Sequence, residues 1–200
     1  MKDERTATGG AVLRQRVTEA ITEAAFAELA EVGYARTSME RVAKRAGVGK
    51  AALYRRWSSK QTMLTELIRD RITASLPPTP ATGVLRTDLL ALLTTIRGQL
   101  SAPLLTRIGA GLLAEAGTDA ALAEMLESVV AAPRRAAALE VLRGAVDRGE
   151  LPPGADLELG IDLVIAPLAF RVLVTREDGG DEYLERLADA IEAGLKATAR

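Results

Sequence analysis

The chain has 200 residues, 48% of them apolar and 3% aromatic, with 26 Lys and Arg against 27 Asp and Glu and a formal net charge of -1. It contains no Cys and no His, which excludes disulfides, thiolate nucleophiles, Cys/His zinc sites and any Ser-His-Asp arrangement. The balanced total hides an asymmetry, because residues 1–76 carry 14 basic against 9 acidic side chains and residues 77–200 carry 12 against 18, so only the first part suits a polyanion.

Residues 1–10 are polar, lack the apolar core of a signal peptide and are expected to form a loose arm. Residues 11–32 place Val17, Ala20, Ile21, Ala24, Ala25, Leu29 and Val32 at helical spacing, with Gly33 where a left-handed cap belongs. Thr37-Ser38-Met39-Glu40 matches a capping box in which the Thr37 hydroxyl and the Glu40 carboxylate satisfy free amides. A second helix follows, with Met39, Val42, Ala43 and Ala46 inward and Arg41, Lys44 and Arg45 in water, and Gly47 ends it. A short third helix over 50–57 keeps Leu53 and Trp57 inward, with Val48 plugging the turn. Ser59 caps a fourth helix carrying Met63, Leu64, Leu67, Ile68 and Ile72. Residues 76–83, with three prolines and a glycine, mark the boundary between two parts.

The second part is predicted to be helical over 85–99, 103–116, 119–148, 156–176 and 181–198, with Pro133 kinking or splitting the third of these and Pro167 kinking the fourth. No strand alternation stands out, so the class is all-α. Asp162 and Arg171 interrupt the best apolar run well short of the ~18 residues that span a bilayer, and the expected setting is the cytoplasm. An enzyme finds little support. Lys196 is the sole lysine of the second part, and Gly109-Ala110-Gly111 lies in a helical stretch with no preceding strand.

Two short helices joined by a glycine-containing turn form the helix-turn-helix layout. Between Tyr34 and Lys60 eight basic residues face one acid, Glu40. A major groove about 12 Å wide admits one helix whose exposed N-terminal side chains reach base edges. The third helix turns Lys50, Ala51, Ala52, Tyr54, Arg55 and Arg56 outward, and Gly49 lets its start approach a partner closely.

The run GYARTSMERVAKRAGVGKAALYRRWSSKQTML, residues 33–64, resembles the DNA-binding domain of the TetR family of bacterial transcription regulators. Shared features are the aromatic after glycine, the T-S pair, A-x-x-A-G-V, L-Y and S-K; Trp57 stands where the family usually has Phe. The resemblance implies a DNA-binding domain over 11–60, a connecting helix and Pro-rich linker over 61–82, and a helical ligand-binding and dimerisation domain over 83–200. It assigns Lys50 and Ala51 to the bases, Thr37, Ser38, Ala52, Tyr54 and Lys60 to phosphates, and Arg55 and Arg56 to either. It implies a homodimer on a palindromic operator, most simply a repressor released by a small molecule. An activator of the same family and a non-specific architectural DNA-binding protein remain alternatives.

For the effector pocket the expected residues are Leu93, Ile96, Arg97, Leu105, Ile108, Leu112, Met125 and Leu126, around a mostly aliphatic or weakly polar ligand. No metal or cofactor is expected, and Arg97 or Arg107 could orient a carbonyl or anionic group. For the dimer interface the expected residues are Ile161, Ile165, Leu168 and Val172 with Leu184, Leu187, Ile191 and Leu195, in a four-helix bundle between copies. Arg171 needs a partner, and Asp162 of the second copy is a candidate.

Overall fold

The computed structural model describes residues 9–74 and 78–198, with side chains from residue 15 onward. Ten α-helices and no strand occur among the described residues, and the chain divides into two compact units, Met1–Ile68 and Arg69–Arg200. The expected arm lies almost wholly outside the described residues, helix already being present at Gly9.

In the first unit, α1 spans Gly9–Arg36, α2 Met39–Ala46 and α3 Lys50–Arg56. The next helix, α4 (Lys60–Thr73), begins in this unit and runs past its end. Gly33 interrupts α1 with φ 78° and ψ 171°, a backbone region open to glycine alone. The interruption is thus a break in the helix and not the expected left-handed cap. Gly47 does adopt the left-handed conformation (φ 66°, ψ 27°), and the Val48 amide donates to the Ala43 carbonyl at 3.0 Å, which closes a Schellman turn. Leu53 and Trp57 anchor α3 to a core that includes Ile21, Ala25, Leu29, Val42, Ala43 and Met63. At the start of α4, the Thr62 amide donates to Ser59 Oγ at 3.1 Å.

Two local expectations are corrected. The cap of α2 is Ser38, whose hydroxyl accepts from the Arg41 amide at 3.3 Å. Thr37 is buried, and its hydroxyl donates back to the Gly33 carbonyl at 2.8 Å. The Gly33 break exposes that carbonyl one turn before the helix start, and Thr37 is the nearest donor. Arg41 and Arg45 do not simply point into water. Their Nε atoms fork onto Glu28 of α1 at 2.7 and 2.8 Å, and Arg45 also pairs with Glu31.

The second unit holds α5 (Leu85–Leu100), α6 (Pro103–Ala116), α7 (Ala120–Leu126), α8 (Ala132–Asp147), α9 (Leu157–Ala169) and α10 (Asp181–Ala197). A π-helical turn, Glu127–Ala131, joins α7 to α8. Pro133 has no N–H and crowds the carbonyl four residues before it, and a local widening of the helix absorbs both. A second π-helical segment, Phe170–Thr175, extends α9 beyond Pro167 and ends at Arg176 in the left-handed conformation (φ 59°).

The main core of this unit is formed by α5, α8, α9 and α10 around Leu89, Leu93, Ile96, Leu142, Val164, Leu168, Ala188 and Ile191. Gly160 sets the closest approach, because a Cβ there would lie 2.7 Å from Leu142 Cδ1 and 3.1 Å from Leu195 Cδ1. Polar ties close the loops. Asp88 accepts from the Thr82 amide at 2.7 Å and hydroxyl at 2.8 Å, and Glu150 accepts from the Leu85 amide at 2.7 Å.

Candidate nucleic-acid interface

The outward face of α3 carries Lys50, Ala51, Tyr54 and Arg55, all exposed, with Ala52 half-buried beside them. Two of these side chains share one acceptor. Tyr54 donates its hydroxyl to Glu40 Oε1 at 3.0 Å, and Lys50 Nζ lies 3.6 Å from the same oxygen. The Glu40 carboxyl is held below its ordinary value by its own backbone amide first and then by Tyr54, with burial opposing and Lys50 adding to the effect. The same contact raises the Tyr54 phenol. Glu40 therefore stays ionised and sets the rotamers of two residues expected to meet DNA. Sequence reading gave it only a capping role. Its being the one acid among eight bases was the signal for more.

The remaining expected DNA residues have other engagements. Arg56 turns away from the α3 face, donating to Thr18 Oγ1 at 2.6 Å and Glu66 at 3.3 Å while stacking 4.3 Å over Trp57. Lys60 Nζ donates to the Tyr34 carbonyl at 2.7 Å and sits 4.1 Å from the centre of the Tyr34 ring. Thr37 has both its amide and its hydroxyl directed at the preceding turn. Ser38 is half-buried at the start of α2. At Gly49 an added Cβ would meet nothing within 4 Å, so the protein's own packing does not require glycine there.

In the second unit the expected effector residues lie on α5, α6 and α7. Leu93 and Ile96 belong to the main core, with Leu105 packed against it. Ile108, Leu112 and Met125 are buried on α6 and α7, and Leu126 is half-buried. Arg97 holds a loop in place, since its Nη1 donates to the Gly179 carbonyl at 3.1 Å and pairs with Asp181 at 2.8 Å. Arg107 is exposed.

The expected interface residues are mostly interior to one copy. Ile161, Leu168, Val172, Leu184, Ile191 and Leu195 are buried within the protomer, and Ile165 and Leu187 pack against the same core. Their helical spacing marks an apolar face, and within one copy α9 packs against α5 and α8 and α10 against α5 and α9. Besides Val84 and Leu113, exposed elsewhere in this unit, the large apolar side chains left outside are Leu159 at 38%, Phe170 at 60% and Val174 at 59% exposure. Together with exposed Ala166 and half-buried Leu163 they lie three or four residues apart along α9 and its π-helical extension. Arg171 finds its partner within the chain: it pairs with Glu177 and stacks 4.3 Å over Tyr183. Asp162 pairs instead with Arg135 at 2.9 Å.

A glycine turn, a short exposed basic helix locked to its neighbour and a separate helical unit together define a helix-turn-helix transcription regulator. Comparison with known proteins gives the family. Residues 21–67 match the model described as "Bacterial regulatory proteins, tetR family", and residues 79–191 match "Tetracyclin repressor-like, C-terminal domain". The chain belongs to the TetR family, which is a class of regulators and not of enzymes. It is 33% identical over 187 residues to the uncharacterized HTH-type transcriptional regulator YdeS of Bacillus subtilis, covering 90% of each chain. It is 30% identical over 175 residues to the DNA-binding transcriptional repressor TetR of Mycobacteroides abscessus, covering 86% of this chain and 90% of that one. Among solved structures, the TetR family transcription regulator SCO0332 is 31% identical with a TM-score of 0.68, covering 92% of this chain and 98% of the other. Among the described residues no single helix is long and apolar enough to cross a membrane, and no cluster of acidic side chains could hold a metal ion.

Proposed function

We infer that the protein is a repressor that binds a palindromic operator as a homodimer, in the cytoplasm, and leaves it when a small molecule occupies the C-terminal unit. The observation that carries this reading is the exposed face of α3, where Lys50, Ala51, Tyr54 and Arg55 stand clear of the core that Leu53 and Trp57 anchor. Lys50 and Ala51 read bases in the major groove, with the Ala51 methyl suited to a thymine methyl. Ser38, Tyr54 and Arg55 hold phosphates and fix the register. Ala52 and Gly49 let the backbone approach. Thr37, Arg56 and Lys60 act from behind: Thr37 closes the end of α1, Lys60 ties the start of α4 to Tyr34, and Arg56 ties α3 to Thr18 and Glu66.

One recognition helix reads too few base pairs for useful specificity. Two of them, about 34 Å apart in successive major grooves, suffice and require a two-fold dimer. The apolar stripe of Leu159, Ala166, Phe170 and Val174 supports the dimer, because single exposed apolar residues are ordinary and an aligned row of them is not. The repressor reading draws on the relative of that name in M. abscessus. The effector reading draws on the family of the C-terminal unit, with α4 as the helix that belongs to both units.

Selection of bound fragments from random duplex DNA, followed by analytical ultracentrifugation of the complex, tests this. An enriched inverted repeat bound by an even number of chains supports it. Enrichment of no sequence supports an architectural protein instead.

A further inference from the structure

Arg134, at the start of α8, is 4% exposed. It sits on the helix face that continues through Ala138, Val141 and Ala145, all buried. Burial alone, with no neighbouring charge contributing, pulls its guanidinium down from its ordinary range. One nitrogen, Nη1, donates to the Val130 carbonyl at 2.5 Å, and Nε has no hydrogen-bond partner. The next residue makes the contrast sharp. Arg135 is half-buried, with 36% of its side chain exposed, and carries two carboxylates, Glu158 at 2.5 Å and Asp162 at 2.9 Å. The chain has paired the arginine that water already solvates and left the enclosed one without an acid.

A buried cation without a counter-charge is unfavourable, and an apolar residue of similar length in its place is neutral or better for folding. The Val130 hydrogen bond is too little to account for it, since a neutral amide donor would make the same bond. We propose that Arg134 is the counter-charge of an anion site inside the C-terminal unit and that the effector is a monoanionic carboxylate with an apolar body. This rests on the effector reading above and names its chemical class. Charge number favours a carboxylate over a phosphate monoester, because a single guanidinium balances one negative charge and would leave the second buried and unpaired. The apolar body follows from the buried residues about one helical turn to either side, Val129 and Ala138, neither with a polar side-chain atom. A carboxylate of a second copy is excluded because Arg134 is enclosed within one protomer. The site adjoins the π-helical turn Glu127–Ala131, and withdrawing the guanidinium toward an anion would loosen its hold on that turn.

The test is calorimetric titration of the full-length protein at neutral pH with octanoate, decanoate and 4-phenylbutyrate, each against its primary amide. It is repeated for Arg134→Gln, which keeps a donor for Val130 without the charge, and for Arg134→Lys, which keeps the charge without the fork. At least one carboxylate is expected to bind the natural protein about tenfold or more tighter than its amide, the ratio set by a hydrogen bond to a charged group. Arg134→Gln is expected to erase that ratio with no loss of ligand-free melting temperature, and Arg134→Lys to retain part of it. The proposal is overturned if no carboxylate binds the natural protein better than its amide, or if Arg134→Gln leaves the ratio unchanged. Should Arg134→Gln fail to fold, Arg134→Met, an apolar residue of similar length, takes its place, and an undiminished ratio there overturns the proposal equally. Release of operator DNA is followed in parallel. Release by amides and carboxylates alike leaves the effector reading standing and removes this inference, whereas selective carboxylate binding without release does the reverse.

Discussion

Tyr54 on α3 donates to the Glu40 carboxylate on α2 across 3.0 Å, so an acid fixes an exposed tyrosine at the centre of a basic surface. With Lys50 Nζ 3.6 Å from the same oxygen, Glu40 limits both where these side chains point and how strongly the surface attracts phosphate. Replacing it by Gln keeps an acceptor for Tyr54 and removes the charge. Glu40→Gln is expected to bind random duplex more tightly and to discriminate the operator less, as read by fluorescence anisotropy on both DNAs. Unchanged binding to random duplex would show that Glu40 does not restrain this surface.

Lys50 and Arg55 should separate by kind. Lys50→Ala is expected to relax preference at one base position per half-site, at ~1–3 kcal/mol of discrimination. Arg55→Ala is expected to weaken all sequences alike and to lower the slope of log affinity against log salt by about one. Competition titrations across a salt series measure both, and equal effects from the two would contradict the division of roles.

Glu28 is 3% exposed and accepts from Arg41 and Arg45, which ties α2 to α1. Burial raises its carboxyl, but the hydrogen bonds and charges of the two arginines outweigh it and the net is below the ordinary 4.5. A depressed folded value means that this tie contributes stability above the unfolded value and loses it as pH falls through the folded one. Glu28→Gln should therefore cost ~1–2 kcal/mol at neutral pH. The difference from the natural protein should shrink as pH drops below 4.5. Urea unfolding at several pH values reads this, and a difference independent of pH would refute the assignment.

At Gly160 the contact is steric. Gly160→Ala places a methyl 2.7 Å from Leu142 Cδ1, with Leu195 at 3.1 Å behind it, and both leucines are fully buried. Overpacking of this kind costs ~1–3 kcal/mol, and a fall in melting temperature with operator affinity retained is the expected result.

Much of this was legible in the sequence. The apolar periodicity gave every helix of the helix-turn-helix, and Gly47 marked the end of α2. The break at Gly33 was not legible, and it moved the α2 cap from Thr37 to Ser38. Pattern also cannot say what an apolar face meets. Leu168 and Phe170 are two residues apart, yet one is fully buried in the protomer and the other is 60% exposed. Long side chains were read least well. Arg56, Arg97 and Arg171 each reach partners, Glu66, Asp181 and Glu177, whose proximity only the fold creates. Arg134 gave no sequence signal at all, because burial and not spacing sets it apart from Arg135.

Phe170 is where these readings converge on assembly. Phe170→Asp with Val174→Asp is expected to yield folded monomer, since both side chains are exposed in one copy, whereas Leu168→Asp is expected to unfold the C-terminal unit. Circular dichroism and sedimentation distinguish the two.

The most direct measurement is sedimentation equilibrium of the natural protein with an inverted-repeat duplex selected from random DNA, alongside the Phe170→Asp, Val174→Asp double variant. The natural protein should bind as a dimer with steep sequence preference, and the folded double variant should lose that preference while keeping weak, salt-sensitive binding. A monomer that discriminates the operator as well as the natural protein does would contradict the account.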